Sequence, residues 1–91
     1  MKRTKFALGQ IVATPGALEV MKVEGIDGVT LLSRHVIGDW GDLDEEDKQE
    51  NELSVQKGFR ILSAYGRGKT RLWVITEADR SVTTILRPDE Y

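Results

Sequence analysis

His35 is the only histidine in the 91-residue sequence. An imidazole can exchange a proton near neutral pH, which is what a general base in a metal-independent ribonuclease must do. Glu77, Arg80 and Arg60 could complete such a catalytic set. The other interpretation of His35 is structural, with a ring nitrogen bonded to a backbone or aspartate oxygen. The sequence leaves both interpretations open.

The sequence lacks the residues that a metal site or a phosphate-binding loop requires. The sequence has no cysteine, and a single histidine does not make a transition-metal site. Asp39, Asp42 and Asp44 lack the alternating spacing, the central glycine and the terminal glutamate of a calcium loop. The run 66–70 ends in Gly-Lys-Thr, but one residue separates its glycines where a phosphate loop has four. We therefore expect no metal and no cofactor, and we assign no catalytic residue.

The strongest feature of the sequence is an acidic run at residues 39–52, which holds eight acidic side chains against Lys48 alone. Such a run is typical of a solvated helix face, of pairing with basic residues elsewhere in the fold, or of a binding surface of one sign. Trp40 lies within it and could either pack inside or anchor a partner. As a binding surface, the run predicts contacts through Asp39, Trp40, Asp42, Asp44, Glu45, Glu46 and Asp47.

Basic residues follow the acidic run, with seven lysines and arginines against two acids over residues 53–87. Arg67, Lys69 and Arg71 could contact nucleic-acid phosphates. The surplus is small for that task, and no recognition helix or base-stacking pair accompanies it. We therefore expect a protein partner, with nucleic acid as the alternative, and we expect no membrane contact because no apolar run approaches the length of a membrane span.

The pattern along the chain predicts one α+β domain over residues 1–91. A short strand at residues 10–14 should be followed by two helices, whose N-caps are Thr14 and Asp27. Val29, Leu32 and Val36 share the apolar face of the second helix. A third, polar helix should begin after Asp44 and end near residue 51. From Phe59 onward the period changes to two, which predicts a three-stranded antiparallel meander.

Three further stretches are distinctive, HVIGDWGDL at 35–43, GFRILSAY at 58–65 and WVITEADRSVTT at 73–84, with Glu46, Asp47 and Asn51 between the first two. With these, the chain from about Gly9 to Tyr91 resembles small proteins that are carried on bacterial plasmids and integrative elements and labelled plasmid-related. Some of those proteins are labelled as a modification subunit of a type I restriction system. This sequence lacks the glycine-rich cofactor loop and the Asn/Asp-Pro-Pro-aromatic motif of an adenine methyltransferase. The resemblance therefore implies a mobile-element setting without a mechanism.

The sequence predicts a cytoplasmic, non-enzymatic accessory protein of a mobile element that binds another macromolecule through its acidic run. A row of carboxylates can imitate DNA phosphates, so interference with a host restriction or CRISPR enzyme is one form that this function could take. The alternative is a small ribonuclease that uses His35. An open sheet edge would allow a homodimer as well as a monomer.

Overall fold

A computed structural model describes residues 3–91. The elements in chain order are β1 (Gln10–Ala13), α1 (Pro15–Glu24), α2 (Gly28–Val36), α3 (Glu45–Lys57), β2 (Ile61–Tyr65), β3 (Leu72–Thr76) and β4 (Val82–Leu86). Single 3-10 turns follow β2 and β4. The predicted α+β class is confirmed.

The four strands form one mixed sheet with the order β1-β4-β3-β2. The three C-terminal strands pair antiparallel, as the period-two pattern predicted. The first strand, whose partner the sequence did not predict, lies parallel to β4, with Gln10 opposite Val82 and Ala13 opposite Ile85. The sheet is therefore mixed, and β1 and β2 are its two edges.

Short polar side chains begin all three helices by accepting hydrogen bonds from amides of the first turn. The Thr14 hydroxyl accepts from the Ala17 amide at 3.1 Å, the Asp27 carboxylate from Val29 at 3.0 Å and the Asp44 carboxylate from Asp47 at 2.8 Å. The predicted N-caps are thus confirmed. No helix within residues 3–91 combines the length and apolar character that crossing a bilayer requires.

The core lies between one face of the sheet and the helices α1 and α2. Its buried side chains are Ala17, Val20, Leu31, Tyr65, Leu72, Val74 and Ile85. Helix α2 turns Leu31 and His35 toward the sheet and leaves Val29 66% exposed, so the predicted inward face of this helix was wrong at Val29. The side of α2 that faces inward carries Leu31, which packs in the core, and His35, which binds hydroxyl groups of the sheet.

Helix α3 lies beside the outer edge of β2 and closes it. The Asn51 amide nitrogen donates to the Leu62 carbonyl at 2.6 Å, and its oxygen accepts from the Leu62 amide at 3.1 Å. The preceding loop continues this pairing, since Ala64 donates to the Trp40 carbonyl and accepts from the Asp42 amide. The inner side of α3 is polar because it binds peptide groups, and the helix continues past residue 51 to Lys57.

The close pairing of this loop with β2 requires a glycine at position 41. Gly41 has φ +78°, and a Cβ there would collide with the Ala64 carbonyl oxygen and the Tyr65 ring. A residue with a side chain would therefore meet both a strained backbone and a steric clash.

Candidate functional site: an acidic helix face

The first acids of the run hold the structure together. Asp39 forms an exposed ion pair with Arg34, with Nε and Oδ2 separated by 2.7 Å, and this hydrogen bond raises the pKa of Arg34. The Asp42 carboxylate accepts from the Gly66 amide at 2.8 Å, and Asp44 caps α3. These three predicted binding residues fasten the loop and the start of the helix.

Trp40 lies inside the protein and does not form an exposed anchor. Its side chain is 4% exposed and packs against the rings of Phe6 and His35, with centroid distances of 6.2 and 6.1 Å. The indole Nε1 donates to Glu52 at 2.8 Å, and Glu52 also pairs with Lys5 at 3.2 Å. The prediction of Trp40 as a contact residue is therefore corrected, because the ring fills the joint between α2 and α3.

The remaining carboxylates of the run point into solvent from the first half of α3. We call Glu45, Glu46, Asp47 and Glu50 the acidic face; all four are exposed. Within residues 3–91, none of them has a basic side-chain nitrogen within 4.0 Å. The structure thus brings three predicted residues together on one helix and adds Glu50, which helical spacing from Glu46 could have identified.

An apolar side chain adjoins the acidic face. Leu53 lies seven residues after Glu46 and three after Glu50, on the same side of α3, and is 43% exposed. Because the sequence predicted a helix end near residue 51, it did not place Leu53 on this helix. The outer side of α3 therefore presents carboxylates around one apolar group, an arrangement suited to a partner with basic and apolar side chains.

A groove of about 400 Å³ separates α3 from the uncovered face of the sheet. Asp47 and Glu50 stand at its α3 side, and Arg60 and Arg71 contribute on the sheet side. Its wall includes Trp73, whose indole Nε1 is buried without a hydrogen-bond partner among the described residues. The acidic face therefore continues into a concave surface of mixed charge.

The basic residues of the β2–β3 hairpin do not form a surface of one sign. Arg71 donates to the Asp42 carbonyl oxygen at 3.1 Å. Arg67 and Arg71 share an open cleft with Asp42 and Asp44. Contact with nucleic acid through Arg67, Lys69 and Arg71 would thus bring phosphates close to carboxylates, which opposes binding.

His35 is completely buried and bonded at both ring nitrogens. Nδ1 lies 2.5 Å from the Ser63 hydroxyl oxygen and Nε2 lies 2.9 Å from that of Thr76. Burial lowers the pKa of His35 from 6.5 to about 4. The imidazole is therefore neutral at pH 7 and closed to substrate.

The hydroxyl groups around His35 fix its tautomer. The Leu8 carbonyl can only accept, so the Thr83 hydroxyl donates to it at 2.7 Å. Thr76 must then donate to Thr83, at 2.7 Å, and accept from His35. Nε2 therefore carries the proton, and Nδ1 accepts from Ser63. The result is a buried polar chain from α2 across the sheet to Leu8.

The hypothetical ribonuclease set does not converge. His35 binds Thr76 on the helix-covered face, whereas Glu77, the next residue of an extended chain, points to the opposite face. Glu77 pairs with Arg60 at 3.0 Å. Arg80 donates to the carbonyls of Phe59 and Ser54 at 2.7 and 3.0 Å and so holds the end of α3. These contacts support a structural role for His35, although its partners are the hydroxyl groups of Ser63 and Thr76 and not the backbone or aspartate oxygen that was expected from the sequence.

Two further observations bear on the identity of the site. Among residues 3–91, no three histidine, aspartate or glutamate side chains lie close enough together to hold a metal ion. No protein-family model, curated protein or solved structure matches the chain.

Proposed function

We propose that the protein is a non-enzymatic binding protein whose acidic face docks against a basic surface of another protein. The observation that carries this proposal is the group of four exposed carboxylates that have no ion-pair partner in residues 3–91. Some exposed charges of the fold are paired, as in Lys5–Glu52 and Arg87–Asp89, and others, such as Glu19, are not paired within the described part of the chain; the acidic face is distinguished by four unpaired carboxylates within six residues of one helix. The carboxylates of the acidic face are therefore available to pair with basic groups of a partner.

The acidic face includes one pair of like charges that a basic partner would neutralise. Glu46 and Glu50 are one helical turn apart, and like charges at this spacing destabilise a helix by about 0.2–0.5 kcal/mol. A basic partner would relieve this repulsion and would be attracted over several ångströms before contact. Leu53 supplies an apolar group that becomes dehydrated once the surfaces meet.

The setting that we propose is an accessory protein of a mobile genetic element in the bacterial cytoplasm. The resemblance to plasmid-borne proteins supports it. A host restriction or CRISPR enzyme is a partner of suitable chemistry, because its DNA-binding cleft is basic and the acidic face would occupy that cleft as phosphates do.

Affinity capture from host lysate tests the proposal with a matched pair of variants. Glu46→Gln with Glu50→Gln removes two charges from the acidic face, whereas Glu19→Gln with Glu24→Gln removes two exposed charges from α1. Both variants shift the net charge by the same amount. We expect the first variant to lose captured partners and the second to retain them.

Salt and secondary structure complete the test. Partner capture by the unaltered protein should fall as salt rises from about 50 to about 300 mM, because exposed charges are screened. Circular dichroism of both variants should match the unaltered protein, since neither pair makes a structural contact. Equal capture by the two variants would refute the proposed function.

A further inference from the structure

The two edges of the sheet differ in whether their peptide groups are paired. At β2, the edge is closed by Asn51 and by the loop that precedes α3. At β1, Gln10 and Thr14 donate to the Ser81 and Ile85 carbonyls of the β4 side. Because peptide groups alternate along a parallel strand, those of Ile11 and Ala13 point away from β4. No residue in 3–91 bonds them.

The open edge carries apolar side chains and no charge. Ile11 and Val12 are 45% and 38% exposed and lie on opposite faces of the sheet. Residues 6–18 contain no charged side chain, although 31% of the whole sequence is charged. Proteins commonly protect an open edge with lysine, proline or an inward charge within the strand. None of these lies within Gln10–Ala13.

We propose that β1 is a dimerisation edge, at which two copies of the chain pair their β1 strands antiparallel about a two-fold axis. With Val12 opposite its own copy, Ile11 of one chain stands opposite Ala13 of the other. Each outward amide then meets an outward carbonyl, which gives four main-chain hydrogen bonds. The sheet becomes one of eight strands, and the surface is separate from the acidic face.

The charge and topology of the chain favour a second copy as the occupant. A neutral edge attracts neither a basic nor an acidic partner, but it allows two chains of net charge −2 to meet without local repulsion. The two Val12 side chains would pack on one face of the joined sheet. Since the β2 edge is closed, pairing stops at two chains and does not continue into a filament.

Cysteine substitution tests this register in a chain that has no cysteine of its own. At a non-hydrogen-bonded antiparallel pair the two Cα atoms are about 4.5 Å apart, within the range of a disulfide. Val12→Cys should therefore form a disulfide-linked dimer under mild oxidation. Ile11→Cys should not, because two Ile11 residues are offset by two positions and their Cα atoms are about 9 Å apart.

Sedimentation equilibrium provides the second measurement. The unaltered chain should move from 10.2 kDa toward twice that mass as its concentration rises into the millimolar range. Val12→Lys should remain at 10.2 kDa, whereas Val23→Lys, at a 68% exposed position on α1, should dimerise as the unaltered chain does. A monomeric unaltered chain, equal cross-linking at positions 11 and 12, or undiminished dimerisation of Val12→Lys would each overturn the proposal.

Discussion

Acidification should destabilise the fold through His35 before the carboxylates contribute. The pKa of this group is about 4 in the folded protein and 6.5 when unperturbed. Between these values the unfolded chain binds more protons, so the free energy of unfolding falls as the pH falls. At 1.36 kcal/mol per pKa unit, lowering the pH from about 7.5 to about 4.5 should remove about 2.5 kcal/mol.

The lowered pKa of His35 is caused by burial, which disfavours the charged ring, and the direction of its hydrogen bonds also disfavours protonation. Neutral His35 accepts from Ser63 at Nδ1, but a protonated ring must donate from both nitrogens. Ser63 would then have to reverse its hydroxyl inside the core, next to a charged imidazolium whose two hydrogen-bond partners are hydroxyl groups and not carboxylates. The protonated form is thus disfavoured in the folded state.

Urea unfolding followed by tryptophan fluorescence measures this effect, with His35→Gln as the control. Glutamine retains a donor and an acceptor but does not titrate. The stability difference between the two proteins should shrink by about 2.5 kcal/mol over the same pH interval. Hydrogen bonds also lower the pKa of Asp79 and of Glu90, so their contribution to the free energy of unfolding is lost as the pH falls through those lowered values. This loss is the same in both proteins and cancels in the comparison. Parallel stability curves would refute the reasoning.

Three substitutions test other contacts. Asn51→Leu should lower the free energy of unfolding by about 1–3 kcal/mol and speed hydrogen exchange of the Leu62 amide, because the amide and the carbonyl of Leu62 both lose their partners. Unchanged exchange would contradict the conclusion that Asn51 closes the β2 edge. Thr83→Val keeps the shape of the side chain but removes the hydrogen bonds that join Thr83 to Leu8 and to Thr76, and should lower the free energy of unfolding in urea by a similar amount; an unchanged value would show that the buried polar chain contributes nothing. Gly41→Ala should cost at least about 1–2 kcal/mol in the same assay, since it combines a left-handed backbone with a clash, and wild-type stability would disprove it.

Local signals in the sequence predicted local structure well. Thr14, Asp27 and Asp44 begin the helices because a short polar side chain can satisfy a first-turn amide, which depends only on neighbouring residues. The period-two pattern after Phe59 likewise predicted three strands whose short connections leave antiparallel pairing as the simple solution.

Long-range contacts explain what the sequence could not predict. The parallel pairing of β1 with β4 joins opposite ends of the chain, and no neighbouring residue specifies it. Asn51 and Ser54 face inward on α3, so a hydrophobic pattern could not indicate its buried side or its length. The same limitation applied to the acidic run: composition located it and capping identified Asp44, but only the fold separates Asp42, whose carboxylate accepts from the Gly66 amide, from Glu46 and Glu50, which make no such contact within residues 3–91.

The pairing of β1 with β4 also bears on how the protein is made. A ribosome synthesises Gln10–Ala13 first, and the partner strand is added only after roughly 70 further residues. At 5–20 residues per second this interval is about 4–14 s. During that time β1 lacks β4, the strand with which it pairs, and the sheet cannot be completed until β4 has been synthesised. Translation interrupted before β4 would therefore release a chain whose first strand has no partner.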